Sequence, residues 1–286
     1  MTQPPNLTAV ARTVLVTGCS TGIGLVTAQR LKDRGYQVLT TARKPSDIRA
    51  LQSQGFACCF LDYTLSDSIT HAVSWALELG GGKLYGVFNN GAYGQPGAVE
   101  DLTRDALREQ FEANFFGWHQ LTCEVLVHMR QAGEGRIIQN SSVLGFAAMK
   151  FRGAYNASKF ALEGLTDTLR LELRDTHIYV VLVEPGPITS EFRKTAYKYF
   201  QRNIRPELSA HKNAYNTVAN RLSSDGTEAD SKFTLSPDAV ADKVILALES
   251  ASPNARYGVT FPTHLFAVLR RLLPTKVLDY ILNKAG

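Results

Sequence analysis

Apolar and polar positions along this chain alternate between two rhythms. Short continuous runs rich in β-branched residues, such as Thr13-Val14-Leu15-Val16, read as strands buried on both faces. Between them apolar residues recur at helical spacing, as at Ile23, Val26 and Leu31 in a helix that opens at Gly22 and ends near Gly35. Further apolar runs at 37–41, 56–61, 84–88, 136–139 and 178–183 predict strands two to six. Pro185-Gly186 stops the sixth, and 256–261 predicts a seventh. Long helices are expected near 103–131 and 154–175. The alternation predicts one doubly wound α/β domain over 1–286, with a parallel sheet of about seven strands and helices on both faces.

Two segments break the rhythm. Residues 190–235 are too long for a simple connection and carry Phe192, Tyr197, Tyr199, Phe200, Tyr215 and Phe233 among polar residues. Loops of that length are usually functional or mobile; the aromatic content argues against a disordered insertion, so a partly helical substrate lid is expected. The tail 263–286 has two apolar stretches split by Pro274, with Leu265, Phe266, Val268, Leu269, Leu272 and Leu273 set against Arg270 and Arg271. Three readings stay open: it completes the core, covers a substrate pocket, or touches a membrane surface weakly.

Composition narrows the classes. Net charge is +5, but the basic residues are scattered, so nucleic acid is not an expected partner. The four cysteines show neither metal spacing nor a disulfide framework, and His119 and His128 lack a third ligand. A reduced, cytoplasmic location is expected. Residues 1–11 hold two prolines and little apolar length, unlike a secretory leader.

Thr17-Gly18-Cys19-Ser20-Thr21-Gly22-Ile23-Gly24 sits between the first strand and the first helix. Strand, glycine turn and helix together make a phosphate-binding turn credible. Gly18 permits the bend, while Gly22 and Gly24 let a pyrophosphate and the neighbouring strand approach. The helix start at Gly22 and Ile23 aims free N–H groups and positive dipole at the phosphates, and Ser20 and Thr21 add hydroxyl donors. Strand two ends in Thr41-Ala42-Arg43-Lys44, with no acid before Asp47. A carboxylate there would favour NAD; Arg43, with Lys44 beside it, instead suits a 2′-phosphate, so NADP(H) is the expected cofactor.

Tyr155 and Lys159 lie four apart on the helix 154–175, hence on one face. A free phenol titrates near 10, and a neighbouring ammonium is expected to draw that value down. Ser142, thirteen residues before Tyr155, follows strand five. Its hydroxyl can hold a substrate oxygen while Tyr155 moves a proton and a hydride crosses from a nicotinamide.

These strings together resemble the short-chain dehydrogenase/reductase family, over essentially the whole length and with its Rossmann-type fold. The resemblance implies that Gly18, Gly22 and Gly24 are the family glycines and that Asp62 contacts adenine. It places Asn90 after strand four and Asn114 in a relay near the lysine. Ser142, Tyr155 and Lys159 become the catalytic trio, and Pro185, Gly186, Ile188 and Ser190 the turn beside the nicotinamide. Two departures stand out. The usual Asn-Asn-Ala-Gly reads Asn89-Asn90-Gly91-Ala92, and Ser190 replaces the usual threonine. Within the family, the turn and Ala157-Ser158-Lys159-Phe160-Ala161-Leu162-Glu163-Gly164-Leu165 resemble the 17β-hydroxysteroid and retinol dehydrogenase branch. Gly133–Arg136, Phe115-Phe116-Gly117 and Arg271-Leu272-Leu273-Pro274 resemble its bacterial NADP-dependent aldehyde reductases.

The expected reaction is NADPH-dependent reduction of an apolar aldehyde or ketone, with Phe146, Met149 and Phe192 lining the pocket. The alternative within enzymes is a hydroxysteroid or retinol dehydrogenase. A non-catalytic NADP sensor should have lost one of Ser142, Tyr155 or Lys159, and all three remain. Homo-oligomerisation is compatible with all of these readings.

Overall fold

The computed structural model describes residues 12–223 and 232–285. Seven strands form one sheet, all parallel. They are β1 (Thr13–Val16), β2 (Gln37–Ala42), β3 (Ala57–Phe60), β4 (Gly86–Asn89), β5 (Gly135–Asn140), β6 (Ile178–Glu184) and β7 (Arg256–Gly258). Their order is β3-β2-β1-β4-β5-β6-β7, so the winding reverses between β1 and β4. Ligands of open α/β sheets sit at that reversal, outside the carboxyl ends of the strands.

Strand pleating divides the core. Val14 and Val16 face a cluster with Leu31 of α1 (Gly22–Asp33), Leu51 of α2 (Pro45–Ser53) and Val244 of α9 (Asp238–Glu249). Leu15 faces the opposite cluster, with Ile69 of α3 (Ser66–Leu79), Leu121 of α5 (Gly117–Ala132) and Leu162 of α6 (Gly153–Glu172). Both faces are covered, which is why β1 carries no polar alternation.

Two expectations need correction. The seventh strand stops at Gly258, and Phe261 opens α10 (Phe261–Leu272), where Pro262 fits a first turn that needs no N–H. The helix expected over 103–131 is split. Thr103 caps α4 (Arg104–Phe111) by accepting from the Ala106 N–H at 3.1 Å, and Glu112–Phe116 form a wider π turn before α5. The segment 190–235 contains α7 (Phe192–Asn203) and α8 (Lys212–Ser223); its residues 224–231 lie outside the described ones. α11 (Thr275–Ala285) ends the described chain. No described helix is long and apolar enough to cross a membrane.

Candidate active site

The glycine turn is built by exclusion. Gly18 has φ +65°, and a Cβ there would lie 2.6 Å from the Gly91 Cα. A Cβ on Gly24 would lie 2.3 Å from the Gly18 carbonyl oxygen. Gly22 faces Ser190, whose Cβ is 3.4 Å from where a Gly22 Cβ would stand, so turn and β6 exit meet across the sheet reversal. Ser20, Gly22 and Ile23 are half-buried and Thr21 is exposed at the mouth of α1. Cys19 is buried, its Sγ 3.1 Å from the Val16 carbonyl, and burial pushes its thiol pKa up, so it packs rather than reacts.

A chain of amides ties this turn to the lysine. Asn90 Nδ2 donates to the Thr17 carbonyl at 3.0 Å. Asn140 Nδ2 donates to Asn90 Oδ1 at 2.8 Å. Lys159 Nζ donates to the Asn140 carbonyl at 2.8 Å. Gly91 packs against Gly18 and Tyr63, which is where the displaced glycine of the Asn-Asn-Gly-Ala string goes.

Arg43 and Lys44 are exposed at the end of β2, with no carboxylate at ion-pair distance among the described residues. Both are available to a phosphate. Asp62 is half-buried after β3, and its Oδ1 accepts from the Thr64 N–H at 3.0 Å and hydroxyl at 2.9 Å. Pro185 follows β6 and accepts from the Val143 N–H at 2.8 Å. Gly186 lies tight against Thr260, while Ile188 is half-buried against the sheet core. The glycine cradle, the free N–H groups of α1 and the unpaired basic pair fit a dinucleotide phosphate.

On the reacting side, Ser142 ends the β5 exit; its Oγ accepts from the Leu144 N–H at 3.1 Å and lies 3.4 Å from the Pro185 carbonyl. Tyr155 is half-buried one turn into α6. Burial pushes its phenol up to about 12, against hydrogen bonding by Ser142 and the charge of Arg152. The expected lowering by Lys159 is not what the structure shows: burial raises the phenol, and the groups that oppose it are Ser142 and Arg152. Lys159 is itself buried (1% exposed), and burial pulls its ammonium down to about 7, with Glu163 opposing. Its Nζ lies 4.1 Å from the Trp118 ring centroid and 5.8 Å from that of Tyr155. Asn114 sits in the π turn, where Oδ1 accepts from the Tyr93 N–H at 3.2 Å and Nδ2 donates to the Tyr93 carbonyl at 2.8 Å and to Ser158 Oγ at 3.4 Å. Such a π turn at a functional position re-aims one side chain without breaking the helix.

The apolar wall comes from distant segments. Phe146, Met149 and Tyr155 pack with Val143, Leu144 and Ala147, and with Phe266 and Leu282 of the tail. The tail therefore lies over this wall rather than apart from it. Phe192 meets the Tyr155 ring edge-on at 5.4 Å, and Tyr199 stacks on Tyr93 at 3.8 Å.

Sequence reasoning missed four supports. Asn140 bridges turn and lysine as above. Trp118 carries the Lys159 ammonium on its ring, and its place four residues after Asn114 was the available signal. Asn156 Nδ2 donates to the Leu144 and Ala147 carbonyls, both at 3.0 Å, fixing the wall. Arg256 gathers three carboxylates: Glu184 at 3.0 Å, Glu163 at 3.0 Å and Asp167 at 2.8 Å. Nothing local marked that cluster, since its members lie on β6, α6 and β7.

Known proteins resemble this chain in sequence and fold. The sequence pattern of the family described as short chain dehydrogenase matches residues 12–200. YbbO of Escherichia coli K12, described as an uncharacterized oxidoreductase, is 42% identical over 272 residues, covering 95% of this chain and 94% of its own. The 17-beta-hydroxysteroid dehydrogenase type 6 of Rattus norvegicus is 30% identical over 283 residues, covering 94% and 87%. The crystal structure of a short-chain dehydrogenase from Streptomyces avermitilis has TM-score 0.73 at 26% identity, covering 95% of this chain and 94% of that one.

Proposed function

The chain belongs to the short-chain dehydrogenase/reductase family, and we propose that within it this protein reduces an apolar aldehyde or ketone with NADPH. The carrying observation is the convergence, at the sheet reversal, of Ser142, Tyr155 and Lys159 with the glycine turn, tied through Asn90 and Asn140. The bound nicotinamide supplies the hydride. Tyr155 keeps its proton at neutral pH and donates it to the carbonyl oxygen. The Ser142 hydroxyl holds that oxygen beside Tyr155. Lys159, its Nζ 5.8 Å from the Tyr155 ring centroid, supplies positive charge near the forming phenolate and would hold the nicotinamide ribose. Asn114 holds the Tyr93 backbone and Ser158 in place around it.

NADP(H) over NAD(H) rests on Arg43 and Lys44, which stand at the end of β2 where a carboxylate would repel a 2′-phosphate. The apolar substrate rests on Phe146, Met149 and Phe192 around Tyr155. The four cysteines are unpaired, which supports a reducing, cytoplasmic location. A hydroxysteroid or retinol dehydrogenase is the second reading, favoured by the match to the rat hydroxysteroid enzyme over nearly the whole chain. A screen of aldehydes, steroids and retinoids with NADPH, followed at the nicotinamide absorbance band, separates the two. Turnover restricted to steroids or retinoids would displace the aldehyde reading.

A further inference from the structure

Among the described residues, Arg152 is a cation without a counter-ion, and it touches the wall that holds Tyr155. It is half-buried, three residues before Tyr155, and its guanidinium contact is the Met149 Sδ at 3.7 Å. No carboxylate among the described residues pairs with it. Other withdrawn arginines find oxygen partners: Arg30 takes Asp242 at 2.6 Å, Arg256 takes three carboxylates, and buried Arg136 donates to the Gly135 and Ser250 carbonyls, both at 3.0 Å. A charge withdrawn from water without a partner is costly, so its retention calls for a reason.

Burial lowers the Arg152 pKa to about 10, and the guanidiniums of Arg221 on α8 and Arg193 on α7 press in the same direction. Tyr155 is the group that favours the charged form, and Arg152 in turn eases ionisation of Tyr155, so the two side chains sense one another. Arg152, at the start of α6, thus borders the wall made by Met149 and Tyr155.

Backbone strain holds the guanidinium there. Phe151 has φ 58°, a left-handed conformation that a bulky residue rarely adopts. Its carbonyl accepts from the Gly97 N–H at 2.9 Å, and its ring packs on His211 at 5.6 Å and Tyr215 at 5.7 Å. The ring is thereby anchored under α8, while the next residue turns toward Met149 and Tyr155. Helix α6 does not require this, because the Arg152 side chain makes no capping hydrogen bond. Strain that serves no local structure accumulates at functional sites.

We propose that Arg152 selects substrates with an anionic group: carbonyl compounds with an apolar body and a carboxylate or phosphate that pairs with its guanidinium while the carbonyl reaches Tyr155. This rests on the assignment of Tyr155 as proton donor and narrows the substrate class. A planar guanidinium offers two parallel N–H donors to either oxyanion.

The test compares oxo acids with their methyl esters, and matched oxo phosphates with the same neutral esters, as kcat/KM with NADPH. The acid-to-ester ratio cancels the effect of Arg152 on Tyr155. The intact enzyme should favour at least one anion over its neutral match by about ten- to hundredfold, and the larger ratio identifies the anion. Arg152→Gln should bring the ratio to about one, and Arg152→Lys should leave an intermediate value with the fold and charge preserved. A ratio near one in the intact enzyme, or one that survives Arg152→Gln, overturns the proposal. Calorimetric binding of saturated fatty acids, alkyl phosphates and neutral amides supplies the arm independent of turnover. Anion preference in binding without reduction of any carbonyl would retain the anion site and reject the reductase reading; loss of preference with reduction intact would do the reverse.

Discussion

The two halves of the site are made of different material. The cofactor half is backbone: a turn in which Gly18 and Gly24 leave no room for a side chain, and a helix start that offers N–H groups. The substrate half is side chain: Phe192 on Tyr155, Tyr199 on Tyr93, and the tail's Phe266 and Leu282 against Val143 and Leu144. Backbone sites admit few sequences, whereas a packed wall can be rebuilt from many combinations of similar volume. The first half therefore fixes the class of reaction and the second fixes what is reduced.

The largest expected effect falls on the seam between the halves. Tyr155→Phe should cut reduction by roughly three orders of magnitude or more with NADPH binding nearly unchanged, since the ring stays and the acid goes. Cofactor titration by fluorescence beside steady-state rates checks this, and a tenth of wild-type turnover would remove Tyr155 from the mechanism. Ser142→Ala should cost about two to three orders of magnitude in kcat, the range for an oriented donor.

Within the cofactor half, Arg43→Ala should weaken NADPH roughly ten- to hundredfold and NADH little, because only NADPH has the 2′-phosphate. Equal losses would make Arg43 structural.

The pH profile joins the halves through Lys159. Its folded pKa is depressed to about 7 from an ordinary value above 10. The unfolded chain therefore holds more protons across that window, and this group's contribution to stability rises with pH from about 7 to about 10. Reduction needs the ammonium and should fall as pH passes about 7. Glu163 holds the Lys159 value up, so Glu163→Gln should move the falling limb of kcat/KM to lower pH. An unmoved limb would detach Glu163 from the lysine.

The smallest effect probes the substrate wall. Each buried methylene of a homologous aldehyde should add up to ~0.8 kcal/mol, about fourfold in kcat/KM, until the wall is covered. Truncation after Pro262 should flatten that trend and lower Tm, because Phe266 and Leu282 leave the wall. An intact trend together with lost co-sedimentation on anionic vesicles would assign the tail to membranes.

The sheet and the turn were legible because their physics is local: β-branched runs, a glycine that must take φ +65°, and a four-residue spacing on one helix face. The π turn at Glu112–Phe116 was not, because its wider register follows from how Asn114 meets Tyr93, far away in sequence. The Arg256 cluster was hidden for the same reason, and the tail's place over Tyr155 was one of three readings the sequence left open. The lowered Tyr155 pKa failed as an expectation because spacing reports which groups are near, whereas burial sets which charged form is tolerated.

The central claim is NADPH-dependent carbonyl reduction on an apolar wall, and the most direct measurement is nicotinamide oxidation across a homologous aldehyde series with NADPH and NADH in parallel. The account predicts turnover that favours NADPH and climbs with chain length. Indifference between the cofactors, or a preference for short polar carbonyls, would contradict it.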